Sequence, residues 1–224
     1  MLANATERSE IYANNIANLT SSGYKSRSQF SQTLLASQLE DRKTASPVET
    51  SWTQGKLVHT ENPLDLAISG DGFFAVRNGE EVRYTRDGQF KRDTEGHLVS
   101  ADGSILQTSA GDLRLSAGSF TVEKDGRVQQ EGRELGQLAI VNFPDKAVLQ
   151  PSSGGGFSAL DSAGHLLDAP QILQGSMEQS NVSGATEILG LMSTLRSAEA
   201  GQHIVQLYDD LMAQAAQGLG QIQG

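Results

Sequence analysis

Four histidines, His59, His97, His165 and His203, are the side chains best suited to hold a metal, yet no two lie three or four residues apart, the spacing that presents two imidazoles to one ion. They read as surface or strand-end residues, and no metal site is expected. Gly70-Asp71-Gly72 in SGDGFF has the outline of a phosphate or calcium loop. It lacks the Lys and Ser or Thr that follow the second glycine of a P-loop, and the alternating acidic ligands and closing Glu of an EF-hand. A turn between two strands, with Asp71 bonding its own backbone, accounts for it. Asp87, Asp93 and Glu95 in DGQFKRDTEG have the chemistry of a glycosidase carboxylate pair, but they alternate with Lys91 and Arg92 at turn positions and read as a solvated hairpin. PSSGGGF sets serines beside glycines without the G-x-S-x-G elbow of a nucleophilic serine. No catalytic constellation and no cofactor site is expected.

Composition narrows the classes further. The 224 residues suit one or two domains with a sizeable core. With 24 glycines, five prolines and 37% hydrophobic residues, the chain reads as rich in tight turns and β structure rather than disordered. A net charge of -10 leaves no phosphate-neutralising surface, so nucleic acid is excluded as a partner. The absence of cysteine removes disulfides, thiolate zinc sites and cysteine nucleophiles, and suits an exported protein as well as a cytosolic one. No basic segment followed by an apolar core opens the chain, and no run approaches the roughly 18 apolar residues of a membrane span. Neither a cleaved signal peptide nor a transmembrane helix is expected, and any export uses a route that does not read such a signal.

The elements that would position functional residues fall into three textures. Leu2, Ala5, Ser9, Tyr12, Ile16 and Leu19 recur at alternating steps of three and four, the heptad seam of a coiled-coil-like helix. Gly23 in TSSGYK is its expected stop, at about Thr20 to Ser22, with Lys25 and Arg27 near the negative end of the helix dipole. Asn14, Asn15 and Asn18 are unusual on such a helix, because asparagine is a mediocre helix former that competes for backbone hydrogen bonds. Residues 30–57 read as an extended linker, in which FSQTLLASQL could prolong a short helix. From Pro63, short alternating runs punctuated by glycine predict a strand meander, with Asp125-Gly126 as a two-residue hairpin turn. Residues 151–164 read as a surface loop with room for one edge strand. From Val182 to Ala216 there is no proline, and Ile188, Leu191, Met192, Leu195, Ala198, Val205, Tyr208, Leu211 and Met212 recur at helical spacing, with a seam shift near Gly201.

The expected fold is therefore mostly β with terminal α-helices. It has an N-terminal helix and motif in residues 1–29, a linker in 30–57, a central antiparallel β domain in 58–175 and a C-terminal helix in 176–224. The C-terminal stripe alone suits an ordinary packed helix. Matching heptad spacing at the other end of the chain, beyond a self-contained β region, favours reading both helices as interaction surfaces.

YANNIANLTSSGYKSR resembles the N-terminal ANNLANxxTxGFK motif of the bacterial flagellar rod and hook protein family. TENPLDLAISGDGFFAV and YTRDGQFKRDTEGHLVSADGSILQ resemble its central block, and GSMEQSNVSGATEILGLMSTLR its C-terminal GxLExSNVxxxxExxxMI motif. Three motifs in the family's order cover most of the chain. The likeness is greatest to rod proteins of the FlgF and FlgG type: the hook protein's outer domains have no room here, and the smallest rod proteins lack the β block. Distal-rod members commonly carry a longer insertion before NPLDLAI, so the short segment 30–57 favours a proximal-rod, FlgF-like member. Family members usually begin some residues earlier with a further apolar stretch, and their extreme N-terminus takes part in export; a late start at Met1 and a true shortening both fit this departure, which leaves the export competence of the chain from Met1 open.

The resemblance implies a non-enzymatic subunit of the periplasmic rod, a drive shaft that carries torque from motor to hook, exported by the flagellar type III apparatus without a cleaved signal. The terminal helices would pack as a coiled coil lining a hollow helical filament and would contact other rod subunits. The implied assembly residues are Tyr12, Asn14, Asn15, Ile16, Asn18 and Leu19 on the first helix and Gly23 and Tyr24 in its exit turn. At the other end they are Ser180, Asn181 and Val182 in the C-terminal motif and Ile188, Met192, Leu195 and Tyr208 on the last helix. The asparagines would specify register through paired hydrogen bonds. A rival from another class is a secreted β-domain carbohydrate-binding or hydrolytic protein with oligomerising helices. It would require a cluster of exposed aromatics or a carboxylate pair in a concave pocket, and aromatic residues make up only 5% of the chain.

Overall fold

The computed structural model describes residues 2–29, 48–152, 156–159 and 164–220. Its contacts divide the chain into two compact units: Met1–Ala17, Ser26–Ser51 and Val182–Gly224 form one, and Asn18–Lys25 with Trp52–Asn181 the other. The possible helix in FSQTLLASQL lies outside the described residues.

The larger unit is antiparallel β. Its main sheet has ten strands among the described residues, organised around Phe73–Asn78, which pairs with Glu81–Thr85 along one edge and with Ile105–Thr108 and Ile140–Asn142 along the other. Phe73-Phe74-Ala75-Val76 is an unbroken apolar run, and successive side chains of a strand point to opposite faces. Such a run is stable only in a sheet covered on both sides. Phe74 and Val76 accordingly enter a large core with Leu66, Ile68, Phe90, Leu106 and Ile140, while Phe73 and Ala75 enter a second core with Ala139, Val141, Phe143 and Phe157. Trp52 closes the second core, its ring centroid 5.6 Å from that of Phe73 and 4.8 Å from that of Phe157.

Local departures from the sequence pattern have local causes. Val122 pairs with Val128, and the Glu123 amide donates to the Arg127 carbonyl at 2.8 Å, which leaves a three-residue loop, Lys124 to Gly126, where two were expected. Gly126 sits at φ +87°, the left-handed residue that such three-residue loops need. Phe157–Ala159 is an interior strand rather than an edge one, bonded to Leu149–Pro151 and, through Phe157, to Tyr84. Within the segment expected as linker, Val48–Thr50 is a strand paired with Arg27–Gln29, and Leu57–His59 pairs with Ser176–Glu178. Asp71 accepts from Lys146 Nζ at 2.9 Å rather than from its own backbone.

In the other unit, α1 (Leu2–Ala17) packs against α2 (Gly184–Gly220). α1 stops a few residues before the expected Thr20 to Ser22. Asn18 ends it by drawing the chain into a turn, its carbonyl accepting from the Ser21 amide at 3.2 Å and its Oδ1 from the Ser21 hydroxyl at 3.0 Å. At 1.5 Å per residue, the 16 residues of α1 span about 24 Å and the 37 of α2 about 55 Å, so α1 can cover less than half of α2.

Two carboxylates make the β unit acid-sensitive. The Arg77 guanidinium, whose Nε donates to Asp112 Oδ1 at 3.0 Å, holds the Asp112 carboxyl below its ordinary value near 3.8, and Lys146 does the same to Asp71. A depressed folded value means that the folded state binds fewer protons than the unfolded one, so this contribution is present above about 3.8 and is lost as pH falls through the folded value. The melting temperature is expected to drop below pH 3.8, and Asp112→Asn to show a shallower drop; parallel pH profiles of the two proteins would disprove the Asp112 contribution.

Candidate assembly site

On α1, the heptad residues Ala5, Ser9, Tyr12 and Ile16 are half-buried, while Asn14 is exposed. Among the described residues, the covered positions of α2 are Gly184, Glu187, Gly190, Leu191, Thr194, Ala198 and Gly201, a face dominated by small residues. Gly190 permits the approach: a Cβ there would lie 2.5 Å from Cε1 of Tyr12. Of the α2 stripe read from the sequence, Leu191 and Ala198 lie among these covered positions, whereas the four residues implied as assembly contacts are exposed. Ile188, Met192, Leu195 and Tyr208 are 48%, 50%, 50% and 64% exposed. Leu189, Ile204, Val205, Leu207, Leu211 and Met212 are exposed as well.

Asn15 stands apart from the other asparagines. Its Nδ2 donates to the Arg27 carbonyl at 2.7 Å and to Glu187 Oε2 at 2.9 Å, and its Oδ1 accepts from the Arg27 amide at 3.0 Å. A side-chain amide is the group that can match a peptide's donor and acceptor at once, so Asn15 pairs with Arg27 as a neighbouring strand would while reaching the first turn of α2. Its hydrogen-bonding capacity is used within the chain.

The β unit contains a buried charge cluster that sequence reasoning missed. Lys25 was expected beside a helix terminus; instead it is 3% exposed and donates from Nζ to Glu178 Oε1 at 2.6 Å and to the Thr53 carbonyl at 2.8 Å. Glu178 is fully buried and also accepts from Arg86 Nη1 at 3.1 Å and from the Gly55 amide at 3.0 Å. Arg86 is held further by the Gly70 carbonyl at 2.6 Å and lies 5.2 Å from the centre of the Phe73 ring. Burial lowers the Lys25 ammonium from its ordinary value, against the opposing pull of Glu178, and lowers Arg86 in the same way.

The backbone beside this cluster is equally constrained. The Gly23 amide donates to the Glu178 carbonyl at 2.8 Å, and the Ser22 hydroxyl to the same oxygen at 3.1 Å. Gly23 has φ +66°, and a Cβ on it would lie 2.2 Å from the Arg86 carbonyl carbon, so only glycine fits. The Asn181 amide donates to the Tyr24 carbonyl at 3.3 Å, and its side chain to the Thr53 carbonyl at 3.0 Å. The structure thus brings Gly23, Tyr24 and Asn181 together, with Leu19, Ser180 and Val182 half-buried. Membership of Lys25 and Glu178 in two of the three quoted motifs was the only signal in the sequence. Among the described residues, no group of three or more His, Asp or Glu side chains is placed to hold a metal ion.

Comparison with known proteins gives this arrangement its context. The family model for the flagellar hook protein FlgE/F/G D1 domain matches residues 67–131, and that for the flagellar basal body rod FlgEFG protein C-terminal region matches residues 173–218. The flagellar basal-body rod protein FlgF of Caulobacter vibrioides is 32% identical over 95% of this chain and 92% of its own length. The chain belongs to the flagellar rod and hook protein family. Flagellar basal-body rod proteins FlgG of Agrobacterium fabrum and Bacillus subtilis are 29% and 27% identical, each over 94% of this chain and 93% of their own length. As a member of that family the protein is a structural subunit of the flagellar basal-body rod and not an enzyme, which sets aside the carbohydrate-active reading. Among the described residues, no helix is long and apolar enough to cross a membrane.

Two substitutions test the contacts that shape this rod-family chain. Glu178→Gln would leave Lys25 and Arg86 buried without a counter-charge and is expected to destabilise the β unit by about 3–5 kcal/mol, read from denaturant unfolding monitored by Trp52 fluorescence. Gly190→Leu is expected to cost the helical unit about 1–3 kcal/mol through overpacking against Tyr12. Gly190→Ala should be nearly neutral, because the far end of the Tyr12 ring can shift and alanine gains helix propensity; far-ultraviolet circular dichroism during melting checks both.

Proposed function

We propose that the protein is a proximal-rod subunit that assembles helically through its terminal helices and carries torque from motor to hook. The observation that carries this reading is the set of exposed apolar side chains on α2, which form one stripe of Ile188, Met192 and Leu195 before Gly201 and a second, on another face, of Ile204, Tyr208 and Leu211 after it. Soluble monomers rarely leave so many large apolar side chains of one helix in water. A non-closing contact repeated along a screw axis would bury them and yield a filament. In that assembly α1 and α2 act as a coiled coil, with Tyr12, Asn14 and Ile16 on α1, Asn18 in the turn that follows it, and Ile188, Met192, Leu195 and Tyr208 on α2 meeting neighbouring subunits. Asn15, Leu19, Gly23, Tyr24, Ser180, Asn181 and Val182 shape the contact from within the chain.

The proximal position rests on the short segment between the N-terminal motif and NPLDLAI, and agrees with the identity to the FlgF relative. The location is the periplasmic rod, reached through the flagellar type III export apparatus without a cleaved signal peptide. Leu195→Asp puts a charge on the exposed stripe, where it costs the isolated subunit little but is prohibitive once the stripe is packed. Cells carrying it at normal protein levels are expected to lack complete rods and not to swim, while the purified protein melts as the parent does. Swimming cells with complete rods would overturn the assembly role of this stripe.

A further inference from the structure

The segment Asn18–Lys25 belongs to the β unit, whereas the residues on both sides of it belong to the helical unit. Its attachment differs in kind from the rest of the β unit. None of its residues enters either hydrophobic core. The attachment described above is polar: the Gly23 amide and Ser22 hydroxyl on the Glu178 carbonyl, the Tyr24 carbonyl under the Asn181 amide, and Lys25 Nζ between Glu178 and the Thr53 carbonyl. The sheet that receives it is held by the Phe73–Val76 strand and its two cores.

The balance of forces follows from this division. An ion pair buried as fully as Lys25 and Glu178 gains little net free energy, because desolvation of both charges offsets their attraction. Loss of the lysine would leave Glu178 still paired with Arg86 and the Gly55 amide, so the cluster on the sheet side remains satisfied. Apolar burial is the dominant stabilising contribution in folding, and both hydrophobic cores lie on that side, while Leu19 and Tyr24 of the segment are only half-buried.

We propose that Asn18–Lys25 is a strap, fastened to the β unit by Lys25 and Gly23 and able to detach while the two hydrophobic cores stay folded. Fastened, it is part of the β unit; released, its eight residues become free connecting chain. Lys25 is the fastener, and Gly23 sets the fit, since any side chain at that position collides with the Arg86 backbone.

Native-state hydrogen exchange on the full chain at low denaturant tests this. The Gly23 amide, bonded to the Glu178 carbonyl, reports the strap, and the Ala75 amide, bonded to the Ala139 carbonyl, reports the cores. The protection factor of Gly23 is expected to be at least about tenfold below that of Ala75, through an opening that exposes little surface and so depends weakly on denaturant. Lys25→Met should lower protection at Gly23 by roughly a further tenfold and leave Ala75 unchanged. Gly23→Val, which blocks docking without touching a charge, should abolish protection at the Tyr24 and Asn181 amides and again spare Ala75. Equal protection of Gly23 and Ala75 in the parent protein, loss of both together in either variant, or no change at Gly23 in Lys25→Met would each overturn the strap, because the segment would then be one cooperative piece with the cores.

Discussion

A single carboxylate, Glu178, sets much of what the β unit can be. Fully removed from water, it must be neutralised and hydrogen-bonded on every side. It is satisfied by chain segments that are far apart in sequence: Lys25 near the N-terminus, Gly55 before the first strands of the meander and Arg86 after the Glu81–Thr85 strand. Its own carbonyl receives Gly23 and Ser22. Lys25, Gly55 and Arg86 thus meet at one carboxylate, and the N-terminal and C-terminal motifs converge on one residue. Gly23 is glycine because the approach it makes toward Arg86 admits no Cβ.

The β unit and the helical unit are held by different physics. In the first, the two-faced strand Phe73–Val76 shares its side chains between two cores, and close packing of aromatic rings fixes their arrangement. In the second, the contact between α1 and α2 uses small residues, with Tyr12 lying over Gly190, and a side-chain amide, Asn15, in the place of a neighbouring strand. The apolar residues of α2 are mostly left outside that contact. A helix whose small residues pack within the chain and whose large ones face water is suited to a second set of partners, as a subunit of a rod requires.

The sequence by itself determined the class of the protein. Glycine punctuation and period-two alternation gave the meander its strands, because a strand's two faces must be chemically consistent along its length. The three- and four-residue steps of Tyr12 and Ile16 gave α1, and the proline-free periodic run gave α2. Three motifs in order identified the family, and the scattered histidines and turn carboxylates gave no reason to expect catalysis. Tertiary structure decided what periodicity does not encode, namely which partner meets each face. Ile188, Met192 and Leu195 lie at the expected spacing, yet Tyr12 of α1 packs on Gly190, since a residue without a side chain allows closer backbone approach and helical spacing does not rank two faces of one helix. Lys25 and Glu178 are 153 residues apart, and nothing local distinguishes a solvated charge from one whose counter-ion arrives from the other end of the chain. Burial is a property of the assembled sheet, so the charge cluster that organises the β unit became visible only once the chain was folded.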